Sequence, residues 1–137
     1  MPNTIHVELL TPERPIYSGH ATMVTLRSGD GDIAFLANHA PFMGTVAICV
    51  VKIERIDEPT LYAAVHGGFV HLAKNQVLIL ADVAELANEI DVVRAQRALE
   101  RAEVALVESN DALTEAALRR AHVRLAVSSA ISRAGQR

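Results

Sequence analysis

The segment from Val77 to Leu106 reads VLILADVAELANEIDVVRAQRALERAEVAL, and its hydrophobic period changes part of the way along. Before Leu86, apolar residues alternate with others, as in a strand that buries one face. Beyond Leu86 they recur every three or four positions, which is the period of an amphipathic helix. These helical positions are Val92, Ala95, Leu99, Ala102 and Leu106. We therefore place a change from strand to helix near Leu86, with Asn88 as the predicted N-cap of the helix.

The residues before this change have the pattern of a small all-β domain. Ile5, Val7 and Leu9 alternate, and clusters of Gly, Pro, Asn and Asp separate short apolar runs as far as Ala84. About eight to ten short strands fit this spacing, which is typical of a sandwich. We assign residues 1–86 to a β-sandwich domain.

The residues after the change are predicted to be helical. No Pro occurs beyond Pro59, and no Gly occurs between Gly68 and Gly135. Ser109-Asn110-Asp111 supplies a break and a new N-cap between two helices. Alanines on both helical stripes allow close approach, so residues 87–137 are predicted to form an antiparallel hairpin. The fold class is thus an all-β sandwich followed by an antiparallel two-helix hairpin.

Composition excludes several classes of function. The net charge is −3 and Trp is absent, so we expect no nucleic-acid partner. The first residues lack a signal-peptide pattern, and no run approaches the about 20 apolar residues of a membrane span, so membrane association is expected only through a partner. The histidines show no metal-ligand spacing, and no hydrolase motif is present. We expect no metal site and no catalytic residues.

Charge is unevenly distributed along the predicted hairpin. From Arg119 onward the chain has arginines and no acidic residue; the arginines are Arg119, Arg120, Arg124, Arg133 and Arg137. One interpretation is complementation of the helix dipole, with Asp111 and Glu115 at the opposite end. The other is contact with an acidic or phosphate-bearing partner.

A set of short motifs resembles one known family in order and spacing. The motifs are Thr11-Pro12-Glu13-Arg14, Tyr17-Ser18-Gly19, Gly31-Asp32-Ile33, Asn38-His39-Ala40-Pro41, Gly67-Gly68-Phe69 and Val77-Leu78-Ile79-Leu80-Ala81-Asp82. Together they resemble the epsilon subunits of bacterial F-type ATP synthases, over residues 7–125. The resemblance implies a non-catalytic rotor subunit whose sandwich binds the gamma subunit and the c-ring. It also implies a hairpin that inhibits ATP hydrolysis by extending among the alpha and beta subunits.

The same resemblance implies a cellular place. The chain would lie on the cytoplasmic face of the bacterial cell membrane as a peripheral part of the complex. Relatives encoded in plastids also lack a targeting peptide, so a plastid origin stays open. Asp32 and His39 are implied as c-ring contacts; as alternatives, Asp32 is a turn former and His39 a hydrogen-bonding residue of its turn.

Residues 90–95 resemble the ATP-binding motif of epsilon subunits that sense nucleotide. The resemblance implies that phosphates contact Arg94, Arg101, Arg120 and Arg124, and that the adenine or ribose contacts Ile90 and Asp91, with Glu85 nearby. Ala95 belongs to the same implied nucleotide site. No Gly-rich phosphate loop is present, so ATP is expected as a regulatory ligand and no cofactor is required. The alternative is an ordinary ion pair of Asp91 with Arg94 at a helix start. For the whole chain, a free-standing nucleotide-sensing module and a small hydrolase are the competing functions.

Overall fold

The computed structural model describes the backbone of residues 3–134 and the side chains of residues 3–130. The described part of the chain contains eight strands, a short 3₁₀ turn and two helices. The strands are β1 (Ile5–Leu10), β2 (Pro15–Ala21), β3 (Met23–Ser28), β4 (Gly31–Phe35), β5 (Phe42–Glu54), β6 (Leu61–Ala73), β7 (Gln76–Ala81) and β8 (Ala84–Leu86). The 3₁₀ turn spans Ala87–Glu89, and the helices are α1 (Val92–Glu108) and α2 (Ala112–Ala134). The predicted sandwich followed by two helices is confirmed.

The strands form one continuous sheet that folds over itself. Its order is β2-β1-β7-β6-β5-β3-β4, and β8 pairs with β6 away from this path. Residues 68–73 of β6 pair with β7, and residues 63–65 of the same strand pair with β8 in the same register. β7 and β8 therefore lie one after the other along one edge of β6.

The core lies between the two layers and is built by the alternation seen in the sequence. Ile5, Val7 and Leu9 are fully buried in β1. The neighbouring strand β7 is parallel to β1 and aligns Val77 with Val7 and Ile79 with Leu9. Because successive side chains point to opposite faces of a strand, this register places all five on the core side.

Both helices begin with an aspartate cap. Asp91 Oδ1 accepts a hydrogen bond from the Arg94 backbone N–H at 3.0 Å, and Asp111 Oδ1 accepts one from Thr114 N–H at 2.8 Å. The prediction of a second cap in Ser109-Asn110-Asp111 is confirmed. The prediction of Asn88 as the first cap is wrong, because Asn88 lies within the 3₁₀ turn and the helix begins after Asp91.

The hairpin lies folded on the sandwich through a small apolar contact. Its buried residues are Ala64 of β6, Ile90, Ala95 of α1 and Val127 of α2. Ile90 and Val127 are its large buried residues, and burying each contributes about 1.5 to 3 kcal/mol. Partly buried apolar side chains also pack against it, namely Val50, Tyr62, Ala87, Val123 and Leu125. The apolar contact is therefore smaller than the sandwich core, which buries many more residues. Neither described helix is long and apolar enough to span a membrane.

Two adjacent glycines in β6 provide a test of the fold. Gly67 and Gly68 have φ values of 87° and 143°, and a Cβ on Gly68 would collide with the Leu80 carbonyl oxygen. Gly68→Ala is expected to lower the free energy of unfolding by more than about 3 kcal/mol, because it adds a backbone clash to a strained φ.

Gly31→Ala is the matched control, because Gly31 has a φ of 125° but no atom lies within 4 Å of the point that a Cβ would occupy. It should cost only about 1 to 2 kcal/mol, the penalty of the backbone conformation alone. Urea unfolding followed by circular dichroism measures both. Equal losses for the two variants would contradict the proposed close approach at Gly68.

Candidate functional site

A cleft of about 330 Å³ opens where the hairpin meets the end of β8. Its lining combines acidic and basic side chains with two small alanines; the lining residues are Glu85, Glu89, Asp91, Arg94, Ala95, Ala98, Arg101 and Arg124. They come from β8, from the 3₁₀ turn and the start of α1, and from α2. Both β8 and the hairpin line the cleft, so its shape depends on how the hairpin lies against the sandwich.

Two arginines of α1, Arg94 and Arg101, line the cleft. Asp91 caps the helix with its side chain, which fixes the direction of the backbone at Arg94. Arg101 lies two turns further along the same face, and Ala95 and Ala98 keep the wall between them shallow. Among the described side chains, Asp91 forms no ion pair with Arg94. The alternative of a helix-start ion pair is therefore replaced by an N-cap.

The basic groups of the cleft are mostly without acidic partners. Within residues 3–130, no carboxylate lies in ion-pair distance of Arg94, Arg101 or Arg120. Arg124 is the exception, because its Nε donates to Glu85 Oε1 at 2.6 Å. A guanidinium offers five N–H donors in a planar fork, so these groups retain many donors for a ligand.

The acidic groups of the cleft, in contrast, already have donors. Glu89 forms an ion pair with Arg14 and accepts a hydrogen bond from the Leu86 backbone N–H at 3.1 Å. Glu85 accepts from both Arg124 and His66. Burial by itself raises the pKa of Glu85, but these two hydrogen bonds outweigh it and hold the pKa below its ordinary value. Glu85 is therefore ionised at neutral pH.

The structure brings together six of the eight residues predicted to bind nucleotide. Glu85, Asp91, Arg94, Ala95, Arg101 and Arg124 line the cleft. Ile90 does not, because its side chain is buried in the contact between hairpin and sandwich. Arg120 lines an adjoining groove of about 380 Å³ between the two helices, together with Arg101 and Arg124. Nucleotide binding by these residues stays a prediction.

Sequence reasoning missed four residues at or behind the cleft. Ala98 follows Arg94 by four positions, so helical spacing was enough to find it. Glu89 and its partner Arg14 are 75 residues apart, and no local pattern joins them. His66 lies in β6 behind Glu85, and nothing in the sequence around it distinguishes it from the other histidines.

The two predicted c-ring residues lie in and just after β4. Asp32 is the second residue of the strand and forms an exposed ion pair with Arg27, with Oδ1 and Nε 2.9 Å apart. The hydrogen bond from Arg27 lowers the pKa of Asp32. His39 follows the strand, where its ring meets the edge of Phe35 and its Nδ1 lies 2.6 Å from the Ala40 carbonyl oxygen. Contact with a c-ring stays a prediction for both residues.

One outer face of the sandwich carries exposed apolar side chains. Phe69 of β6 is 62% exposed and lies directly opposite Leu80 of β7, which is 48% exposed. Met43 of β5 is 75% exposed and pairs with His71, two positions from Phe69 along β6. We call Met43, Phe69 and Leu80 the apolar face. A contiguous exposed patch of this kind commonly marks a protein interface.

Comparison with known families gives the same division of the chain into strands and helices. Residues 4–87 match the β-sandwich domain of the ATP synthase delta/epsilon chain. Residues 88–129 match the long α-helix domain of the same family.

Relatives extend this similarity over nearly the whole chain. An ATP synthase epsilon chain of Streptomyces avermitilis is 45% identical over 126 residues, which cover 92% of this chain and 96% of the relative. One from Brevibacillus brevis is 43% identical over 102 residues, or 74% of this chain and 77% of the relative.

A solved structure shares the fold. A chain in the mitochondrial ATP synthase of Euglena gracilis, determined with OSCP, F1 and the c-ring, superposes with a TM-score of 0.70 at 24% identity, covering 98% of this chain and 82% of that one. Because the two family domains follow each other along the chain and the Streptomyces relative matches almost end to end, this chain belongs to the ATP synthase delta/epsilon chain family.

Proposed function

We propose that this chain, a subunit of the F-type ATP synthase central stalk, couples the gamma subunit to the c-ring and restrains ATP hydrolysis. The apolar face supports docking on gamma, because exposed Phe69, Met43 and Leu80 lie on rigid strands of the sandwich. Aromatic and methionine side chains are enriched at the centres of protein interfaces. Membrane association then arises through the assembled complex at the cytoplasmic face of a bacterial membrane.

The proposed c-ring contact lies around β4, which forms one edge of the sheet. The turn before β4 adjoins Thr45, and Phe35 at its end packs on Phe42, so both flanking segments lie beside the first part of β5. This neighbourhood supports a shared surface that includes Asp32 and His39. Both side chains are polar and form hydrogen bonds, so they suit polar loops of a partner better than an apolar surface.

The hairpin acts as a nucleotide sensor in this proposal, and the cleft is its binding site. The observation that carries this part is the group of guanidiniums without acidic partners, Arg94, Arg101 and Arg120, beside a cleft of about 330 Å³. Guanidinium forks bind phosphate oxygens in pairs, and the cleft volume falls in the usual range for small-molecule sites. ATP is a signal here and not a substrate, and the chain contributes no catalytic residue to the complex.

Inhibition follows from release of the hairpin. The apolar contact that holds it is small compared with the sandwich core, so α1 and α2 can exchange the sandwich for the alpha and beta subunits. Arg119, Arg120 and Arg124 would then meet acidic segments of those subunits. Arg137 and the side chain of Arg133 lie outside the described residues. Bound ATP opposes release, because it contacts walls that only the folded hairpin brings together.

The docking role is tested on the apolar face. Phe69→Asp is expected to weaken binding to purified gamma by about 2 kcal/mol or more, because it places a charge at the centre of the interface. Val107→Asp, at a hairpin position that is 89% exposed, should bind gamma normally. Surface plasmon resonance with immobilised gamma measures both. Unchanged affinity of Phe69→Asp would remove the apolar face from the gamma interface.

Nucleotide binding is tested by titration calorimetry of the full chain with ATP. Arg94→Ala and Arg101→Ala should each weaken binding by about 1.5 to 3 kcal/mol, the range for hydrogen bonds to charged groups. Arg97→Ala is the matched control, since Arg97 lies on α1 outside the cleft. AMP should bind much more weakly than ATP. Absence of heat at millimolar ATP would end the sensor role and leave membership of the stalk untouched.

Inhibition is tested in the assembled enzyme by deleting residues 119–137. The deletion is expected to raise ATP hydrolysis severalfold at low ATP, because the basic tract is the proposed contact with the catalytic subunits. A full-length chain with Arg119, Arg120 and Arg124 changed to Gln distinguishes the effect of losing positive charge from the effect of shortening the helix. Hydrolysis is measured after inhibitory ADP has been removed. The same rate for deleted and intact complexes would refute inhibition by this segment.

A further inference from the structure

His66 is one of two buried polar residues in the described part of the chain, and it lies where three elements meet. It belongs to β6, and its side chain is only 3% exposed. Nε2 lies 3.1 Å from Oε1 of Glu85 in β8, while Nδ1 is buried and has no partner among the described residues. The same Glu85 oxygen accepts the bond from Arg124 of α2.

This arrangement defines the protonation state of the closed hairpin. A carboxylate oxygen only accepts hydrogen bonds, so Nε2 of His66 carries the hydrogen and donates it. Nδ1 then carries no hydrogen, and it has no hydrogen-bond partner among the described residues. Neutral His66 of β6 and Arg124 of α2 therefore both donate hydrogen bonds to one carboxylate oxygen of Glu85. These two bonds connect β6, β8 and α2.

We propose that His66 is a positioning residue of the cleft: its neutral imidazole holds Glu85 against Arg124, and its protonation releases α2 from the sandwich. The hairpin is thereby sensitive to pH as well as to nucleotide. The effect on nucleotide affinity rests on the sensor function proposed above, whereas the effect on closure does not.

The charges around His66 decide which hairpin state takes up the proton. Glu85 of β8 favours the imidazolium, while Arg124 and Arg120 of α2 oppose it. From β5 the facing residue is the apolar Ile48, and Asp82 in the turn before β8 lies against the neighbouring Gly67. Burial is the largest influence and Arg124 the next, and together they hold the pKa of His66 below its ordinary value.

Opening the hairpin reverses these influences. Arg124 and Arg120 move away with α2, whereas Glu85 stays beside His66 because β8 pairs with β6. The open state therefore binds the proton more tightly than the closed state. Closure is fully favoured above the ordinary histidine pKa of about 6.5, and it weakens as the pH falls through that value towards the lower pKa of the closed state.

The first test follows closure in the full chain by NMR without nucleotide. Methyl groups of Ala64 and Val127 are buried together only when the hairpin is folded, so a cross-peak between them reports the closed state. Its intensity is expected to fall between pH 8 and pH 5.5 with the midpoint of the His66 titration. In Arg124→Gln the His66 pKa should rise, because the nearest opposing cation is gone.

The variant His66→Gln separates positioning from simple packing. A glutamine amide keeps an N–H donor for Glu85 but does not titrate in this range. The cross-peak should then persist at pH 5.5. His122→Gln, an exposed histidine of α2, is the matched control and should retain the wild-type pH response.

The second test measures ATP affinity of the same variants at pH 8 and pH 6. At pH 8 wild type and His66→Gln should agree within about twofold, whereas at pH 6 wild type should bind more weakly, by at most about tenfold per pH unit for one linked proton. Titration of the ATP phosphates affects both proteins equally and cancels in the ratio. A chain that binds no ATP refutes the sensor function, and the NMR result still decides the role of His66.

Three results would overturn the proposal. They are a cross-peak that survives His66 protonation in the wild type, a pH response retained by His66→Gln, and a His66 pKa that is unmoved by Arg124→Gln. If His66→Gln does not fold, Arg124→Gln alone decides, because its substitution lies on the helix side of the contact and leaves the sandwich core intact.

Discussion

The path of β6 determines both the sandwich and the cleft. Its second half pairs with β7 and its first half pairs with β8, along the same edge and in the same register. Gly67 and Gly68 lie between these halves, and at Gly68 the Leu80 carbonyl approaches so closely that only a glycine hydrogen fits. Because β8 is held to the sheet by β6, this strand also places Glu85 beside the hairpin. The backbone of β6 therefore influences the position of Glu85 in the cleft.

The hairpin is held by a different balance of forces. The sandwich buries large apolar side chains on most of its strands, whereas Ile90 and Val127 are the only large buried members of the hairpin contact, with Val50, Tyr62, Val123 and Leu125 partly buried against them. The polar bridge from His66 through Glu85 to Arg124 adds a second link between the sandwich and α2. Small changes in charge at this bridge can therefore change the hairpin without disturbing the sandwich.

The sequence was sufficient where periodicity and local chemistry agree. Alternation located the strands, and Ser109-Asn110-Asp111 located the helix break, because both signals act over a few residues. Asn88 is a good capping residue by type, but the chain forms a 3₁₀ turn there and Asp91 takes the cap instead. Ile90 follows the motif in sequence, yet its apolar side chain is buried with Val127. Contacts such as Glu89 with Arg14, and Glu85 with His66, depend on tertiary packing that no local pattern encodes.

The charged side chains of the cleft differ in whether they already have hydrogen-bond partners. Each acidic side chain in it is already satisfied, Glu89 by Arg14, Glu85 by Arg124 and His66, and Asp91 by a helix N–H. The guanidiniums of α1 and α2 are therefore the groups that can still donate hydrogen bonds to a ligand. An anion that bridged the guanidiniums of α1 and α2 would lie beside the ionised Glu85 of β8. Under the proposed function, its binding free energy would favour closure by the amount by which it prefers the closed state to the open one.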